Sequence, residues 1–163
     1  MSTTAESILE HCFTDAPVAA DVARGVTRLF CRQELFAICE VPLPNGRRAD
    51  LMGIDSEGNL TIVEIKVAKA DLLGDCKWTD YLDYCDHFYW AVPPQLAAIL
   101  EQDHYLPSEA GLIVADRYDA ALVRAAAHRP LAPARRKAEL LRFARRAARR
   151  LSEQLDPSLG EGR

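Results

Sequence analysis

Two acidic residues and a lysine stand where charged side chains need partners. Glu64 and Lys66 flank Ile65 in an apolar run that predicts a β-strand over residues 60–67. Because side chains alternate along a strand, both charges point to the same face. A buried charge without a partner costs several kcal/mol, so this pair needs an ion partner or a metal ion. Asp50, on the preceding predicted strand, is brought alongside by hairpin pairing.

The two carboxylates are of the kind that binds a hard divalent cation. Mg²⁺ prefers oxygen ligands from Asp and Glu and completes its coordination with water. A cation held by Asp50 and Glu64 would bind a phosphate and activate a water molecule. Lys66 would then stabilise the negative charge that builds on the phosphate, or orient the attacking water. These residues therefore predict metal-assisted phosphate chemistry.

The elements that must position these residues follow a mixed pattern of helices and strands. Turn residues at 42–46 and 55–59 separate three strands, which are expected to form an antiparallel meander. The spacing predicts helices over 16–31, 69–86 (weakened at Gly74), 95–102, 120–127 and 134–151, and strands over 36–41, 48–54, 60–67, 87–92 and 111–115. This order implies an α/β domain over residues 1–155, with a mixed central sheet flanked by helices on both faces, and a flexible tail over 156–163.

Within this meander, Asp50 and the tripeptide Glu64-Ile65-Lys66 resemble the PD-(D/E)XK nuclease superfamily. In that fold the first acid lies on the second core strand and the tripeptide lies on the third. The resemblance implies a restriction-endonuclease-like fold, with Asp50 and Glu64 as metal ligands, Lys66 as the catalytic lysine and the Ile65 carbonyl as a further ligand. It also implies that Glu40, on the strand before, contributes an extra acid.

Further positions match the superfamily in part. Lys77 and Tyr81 have the spacing of the Q-x-x-x-Y element of exonuclease-like members, with lysine in place of glutamine. Ala49 stands where the proline of the motif would be. Lys69 could face the site, as in members whose lysine has migrated, although a solvated helix start is the simpler interpretation.

A closer resemblance covers nearly the whole chain. The runs at 46–50, 62–66, 77–81, 83–86, 111–116 and 141–144 are similar to the bacterial MmcB family, which is associated with DNA repair. The resemblance implies a role in handling damaged DNA and a restriction-endonuclease-like fold. Together with the candidate site residues, it leads us to expect hydrolysis of DNA that is branched, damaged or single-stranded, with Mg²⁺ or Mn²⁺ as the cofactor. The alternative is a non-cleaving DNA-binding or scaffolding protein on the same fold, which the net acidity of the chain favours.

Composition excludes several classes of protein. With 163 residues, 49% hydrophobic and 27% charged, the chain has the make-up of one globular domain, which excludes fibrous and disordered classes. No run of apolar residues is long enough to span a membrane, and the first residues lack the pattern of a secretory signal. The five cysteines are widely spaced and include no C-x-x-C, as expected for reduced thiols in the cytoplasm.

Charge is unevenly distributed along the chain. The formal net charge is −4, yet residues 135–150 carry eight basic residues and one acid. At helical spacing, Arg142, Arg145, Arg146 and Arg149 fall together, opposite an expected buried stripe formed by Leu140, Phe143, Ala144, Ala147 and Leu151. These arginines are predicted to contact DNA phosphates. A solvated face that pairs with acids elsewhere and a docking site for an acidic protein partner are the alternatives.

Aromatic residues concentrate between positions 78 and 90, where six of the twelve in the chain occur. Most are expected to pack in the core. Tyr84 lies off the main apolar face and is the candidate for stacking on an unpaired base. The four histidines (His11, His87, His104 and His128) show no spacing typical of a metal site. A homodimer would suit an enzyme that cuts both strands, but no residue pattern specifies one.

Overall fold

The computed structural model describes residues 18–160. The predicted start of the first helix at residues 16 and 17, together with His11 and Cys12, lies outside these residues. The helices are α1 (Ala19–Arg32), α2 (Lys69–Gly74) and α3 (Pro133–Leu155), and the strands are β1 (Phe36–Pro42), β2 (Arg48–Ile54), β3 (Leu60–Ile65), β4 (His87–Val92), β5 (Gly111–Ala115) and β6 (Ala120–Arg124). Shorter 3-10 helices span Trp78–Tyr84, Pro94–Glu101, Asp103–Tyr105 and Pro157–Gly160.

The strands form a single mixed sheet in the order β1-β2-β3-β4-β5-β6. The first three pair antiparallel, which confirms the predicted meander, whereas β4 runs parallel to both β3 and β5. Every residue of β3 is buried. A strand covered on both faces must be almost continuously apolar, which explains its sequence and leaves Glu64 as an exception that needs a reason.

Helices cover both faces of the sheet, as predicted. On one face, α1 packs through Val22, Val26 and Phe30 against the sheet. The backbone approach is close there: a Cβ on Gly25 would lie 2.7 Å from the carbonyl oxygens of two turn residues between β5 and β6. On the other face, α3 and the 3-10 helices cover a second core that includes the ring of Trp78. The mixed α/β class is therefore confirmed.

The predicted helix over 120–127 is wrong, because Ala120–Arg124 is the edge strand β6. Its alanine-rich sequence favours a helix, but tertiary pairing overrides that preference. Asp116 accepts hydrogen bonds from the N–H groups of Tyr118 and Asp119, which closes a tight turn. The chain therefore returns antiparallel alongside β5.

The predicted helix over 69–86 is interrupted. Helix α2 ends at Gly74, and the chain resumes as a 3-10 helix at Trp78. The segment between them is anchored by Asp75, which forms an ion pair with Lys66 after the end of β3. None of the helices in the described part of the chain combines the length and apolarity needed to cross a bilayer.

Candidate functional site

The carboxylates of β2 and β3 come together where the two strands separate. The ladder between them ends at the pair Leu51 and Val63, so Asp50 and Glu64 occupy the next position along each strand. There Asp50 Oδ2 accepts a hydrogen bond of 2.7 Å from the Ile65 N–H. The Asp50 side chain thus replaces a backbone carbonyl as the partner of the Ile65 N–H at the end of the ladder. This places the Asp50 carboxylate beside the tripeptide Glu64-Ile65-Lys66.

Glu64 is a buried carboxylate with an incomplete set of partners. The residue is 6% exposed. Its Oε1 accepts a hydrogen bond of 3.1 Å from Lys66 Nζ, whereas its Oε2 is buried without a partner. Burial, with the negative charge of Asp50 added, raises the pKa of Glu64 to about 7. Such a carboxylate is poised to take up either a proton or a cation.

Lys66 is held by a third acid that sequence reasoning missed. Its Nζ lies 2.9 Å from Asp75 Oδ2, and the Asp75 side chain is only 9% exposed. Although burial opposes its charge, Asp75 and Glu64 together raise the pKa of Lys66, so it stays protonated. The available signal was the sequence Gly74-Asp75, a helix break that returns an acid toward the site.

Tyr81 lies against the carboxylates, whereas Lys77 does not. The Tyr81 ring is buried, and its hydroxyl donates a hydrogen bond of 3.1 Å to the Arg48 carbonyl. Burial and the nearby Glu64 raise its pKa. Lys77 is exposed, and its backbone N–H donates to Asp75 Oδ1. Only the tyrosine of the partial Q-x-x-x-Y match therefore adjoins the site.

Glu40 stands at the mouth of the site in a strained conformation. It lies opposite Asp50 in the register of β1 and β2, and its φ angle of 50° is in the left-handed region. Its side chain is 66% exposed and lies 3.6 Å from Arg48. Lys69, at the start of α2, is exposed as well. Within residues 18–160, no three His, Cys, Asp or Glu side chains are grouped to bind a metal.

Helix α3 presents a charged inner face, which corrects the predicted stripe. Phe143 is buried, but Ala144 and Leu151 of that stripe are exposed. Instead, Arg136 forms an ion pair with buried Asp86, and other inner positions are charged as well. These polar contacts set the rotation of the helix about its axis, and the apolar residues alone could not reveal them.

The four predicted phosphate-binding arginines line one groove. They are joined by Arg150, whose guanidinium donates hydrogen bonds to the carbonyls of Cys39 and Glu40. The groove has a volume of about 630 Å³ and lies between α3 and the first two strands of the meander, β1 and β2. The basic side chains are Arg142, Arg145, Arg146, Arg149 and Arg150.

The expected exposure of Tyr84 is wrong. The residue is 8% exposed, and the Arg135 guanidinium covers its ring at 4.8 Å. Its ring packs in the core below α3, so it offers no open face to a base. The stacking role predicted for Tyr84 therefore has no support in the structure.

Comparison with known proteins agrees with this arrangement. The family model for "DNA repair protein MmcB-like" matches residues 11–158. The chain belongs to the MmcB-like family. A solved structure of 42% identity, the SPO1766 protein of unknown function from Silicibacter pomeroyi, matches this MmcB-like chain with a TM-score of 0.77. The match covers 86% of this chain and 92% of that chain. Comparison with curated proteins finds no match.

Membership of the MmcB-like family supports a role in DNA repair. The six-stranded mixed sheet with helices on both faces is consistent with a restriction-endonuclease-like fold. It is consistent as well with the resemblance to PD-(D/E)XK nucleases, because Asp50 lies on the second strand and Glu64 on the third.

Proposed function

We propose that this chain is a DNA repair nuclease that hydrolyses phosphodiester bonds, with Asp50, Glu64 and Lys66 as its active-site residues. The observation that carries the proposal is the buried, unpartnered Oε2 of Glu64 beside the Asp50 carboxylate. Buried carboxylates with a structural role have their hydrogen bonds satisfied, because leaving one unmade is costly. An unsatisfied carboxylate oxygen next to a second acid is therefore better explained by a ligand.

The donor set suits Mg²⁺ or Mn²⁺. Asp50, Glu64 and the carbonyl of Ile65 are hard oxygen donors and would hold the cation. When bound, the cation would polarise the phosphate and supply an activated water. Lys66, kept protonated by two carboxylates, stabilises the charge that develops on the phosphate and does not act as a base. Glu40, at the mouth, assists as a ligand or a base.

The test is a cleavage assay in Mg²⁺ or Mn²⁺ on labelled single-stranded, nicked, flapped and four-way-branched DNA. We expect the wild type to cleave and Glu64→Ala to lose cleavage while keeping its fold. Lys66→Ala should lose turnover but bind DNA as before in a gel shift with Ca²⁺. The substrate panel tests the proposed preference for branched, damaged or single-stranded DNA, and sizing the protein with each DNA tests whether it acts as a homodimer.

A matched control is available in the turn between β2 and β3. Glu57 is exposed, so Glu57→Ala removes an acid of the same type without touching the site. Full activity in Glu57→Ala and none in Glu64→Ala would assign the reaction to the buried pair. Equal activity in both variants would remove Glu64 from the mechanism.

A second function is favoured by one observation. Lys66 is bonded to two acids at once, Glu64 and Asp75, so the site is partly neutralised from within. We propose as the alternative a non-cleaving DNA-binding or scaffolding protein that acts in the cytoplasm. Binding of DNA in Ca²⁺ without cleavage in Mg²⁺ or Mn²⁺ would favour it. Loss of both would direct attention to an acidic protein partner of α3.

A further inference from the structure

The groove beside α3 carries positive charge that the protein itself does not neutralise. Five arginines and two glutamates line it. Both glutamates are already paired, Glu139 with Arg142 at 2.5 Å and Glu153 with Arg149 at 2.6 Å. Three arginines therefore remain in excess, and a concave surface with excess charge of one sign concentrates ions of the opposite sign.

Three arginines of this groove have no carboxylate partner in the part of the chain that the structure describes. Neither Arg145 nor Arg146 forms an ion pair with a carboxylate in the part of the chain that the structure describes. Arg150 is bonded to the carbonyls of Cys39 and Glu40, which leaves its charge uncompensated. Burial and the neighbouring Arg150 and Arg149 lower the pKa of Arg146. An anionic ligand would relieve this repulsion.

The floor of the groove is apolar and leads toward the carboxylates. Val41, Pro42 and Met52 form its strand side. Met52 and Asp50 are two residues apart on β2, about 7 Å along the strand. Arg150 also donates a hydrogen bond to the backbone carbonyl of Glu40, and Glu40 lies opposite Asp50 in the register of β1 and β2. A chain lying in the groove would thus run into the candidate hydrolysis site.

We infer that this groove binds one strand of DNA, with Arg145, Arg146 and Arg150 on its phosphates and the apolar floor against its sugars and bases. A recess of about 630 Å³ accommodates a few nucleotides of one strand, whereas a duplex would need an open surface. The inference deepens the proposed function, on which its link to Asp50 rests, by naming single-stranded DNA as the ligand.

The experiment measures binding without cleavage. Fluorescence anisotropy with a short oligothymidylate, in EDTA, is followed across a salt series for wild type, Arg145→Gln and Arg146→Gln. With about three phosphates engaged, the slope of log K against log salt should be near −2 for the wild type. Each substitution should weaken binding several-fold and reduce the slope by about 0.7. Melting curves establish that each variant is folded.

Lys137→Gln is the matched control, because Lys137 is an exposed cation on the same helix that does not line the groove. It should leave the affinity and slope unchanged; a loss equal to that of Arg146→Gln would overturn the groove as the site. A duplex of the same length bound as tightly would overturn the single-strand assignment. Displacement of the DNA by polyglutamate at equal charge concentration would show a general polyanion site and overturn DNA as the ligand.

The same assay separates this inference from the proposed hydrolysis. If the wild type binds through the arginines but never cleaves, the hydrolysis fails and the groove stands. If it cleaves while Arg145→Gln and Arg146→Gln bind normally, the groove fails and the hydrolysis stands.

Discussion

Two buried carboxylates of this chain, Asp86 and Glu64, differ in how completely they are bonded. Asp86 accepts hydrogen bonds from the N–H groups of Leu60 and Leu131 and two more from the Arg136 guanidinium. Although burial opposes its ionisation, these donors lower its pKa. Glu64 accepts a hydrogen bond from Lys66 on Oε1 and has the Tyr81 hydroxyl nearby, yet its pKa is raised to about 7.

The contrast separates a structural carboxylate from one available for chemistry. Asp86 ties β3 and the start of α3 together, and every bond it can make inside the protein is made. Glu64 lies on the same sheet at a similar depth but keeps one oxygen unpartnered. Incomplete bonding at one buried acid and full bonding at another indicate that the deficit at Glu64 belongs to its site rather than to the fold.

The largest expected effect is on stability, at Asp86. Asp86→Ala leaves two backbone N–H groups without partners and takes the ion partner from Arg136, which retains a hydrogen bond to the Gly58 carbonyl. We therefore expect a loss of about 3–5 kcal/mol in the free energy of unfolding. Urea denaturation measures it. The control is Glu109→Ala, which breaks an exposed ion pair with Arg129 and should cost less than about 1 kcal/mol. Similar losses in the two variants would contradict a structural role for Asp86.

The next effect is a pH dependence that originates at Glu64. Because its pKa rises from 4.5 when unfolded to about 7 when folded, the folded state binds the proton more tightly. The contribution of Glu64 protonation to the free energy of unfolding is fully present below pH 4.5 and is lost as the pH rises through about 7. At about 1.4 kcal/mol for each pKa unit, the loss is roughly 3 kcal/mol.

Glu64→Gln cannot titrate, so the difference in unfolding free energy between it and the wild type isolates this change. The comparison is made in EDTA, and it removes the opposing contribution of His87, whose pKa is lowered by burial and by His128. The contribution of His87 to the free energy of unfolding increases as the pH rises, and it does so equally in both proteins. A difference that does not vary with pH would mean that the pKa of Glu64 is the same in the folded and unfolded states, and would contradict the raised pKa.

Much of the sheet was predictable because its signals are local. Strands β2, β4 and β5 have the predicted bounds, since apolar runs and turn residues define them within a few positions. Strand β6 was not predictable in this way, because its alanine-rich sequence becomes a strand only when β5 is beside it. The orientation of α3 depends on Asp86, fifty residues before its partner Arg136.

The candidate site likewise contains residues that could be predicted from the sequence and residues that could not. Asp50, Glu64 and Lys66 could be found because their types and alternation are visible on two strands. Asp75 was missed: the helix break at Gly74 was visible in the sequence, but the contact of Asp75 with Lys66 depends on how the chain turns after α2. Tyr84 was misplaced because helical spacing assigned it to an exposed side, whereas the 3-10 geometry and Arg135 cover it.

A smaller effect is expected at Asp75. Asp75→Asn keeps the shape of the side chain but removes one of the two charges that hold Lys66, at a cost of about 1–2 kcal/mol. Cleavage should fall because the lysine is no longer fixed beside Glu64. Asp80→Asn is the control, since Asp80 is half-exposed and pairs with Arg47 on the surface. Unchanged cleavage in Asp75→Asn would limit Asp75 to a structural role.

The smallest effect is expected at Tyr81, where it tests how far the site extends beyond the charged residues. Tyr81→Phe removes the hydrogen bond to the Arg48 carbonyl and should cost about 1 kcal/mol. Tyr105→Phe is a matched control, because its buried hydroxyl donates a comparable bond of 3.2 Å to the Leu72 carbonyl in α2. The two variants should lose similar stability in urea.

Only Tyr81→Phe should also slow cleavage, by several-fold, because Arg48 directs the backbone that leads into Asp50 and the Tyr81 hydroxyl lies against Glu64. The pH dependence of the unfolding free energy of Tyr81→Phe should shift as well, since the hydroxyl is one of the groups that oppose the rise in the pKa of Glu64. Equal cleavage rates in the two variants would assign Tyr81, like Asp86, to the fully bonded groups that maintain the fold. The catalytic site would then be limited to Asp50, Glu64, Asp75 and Lys66.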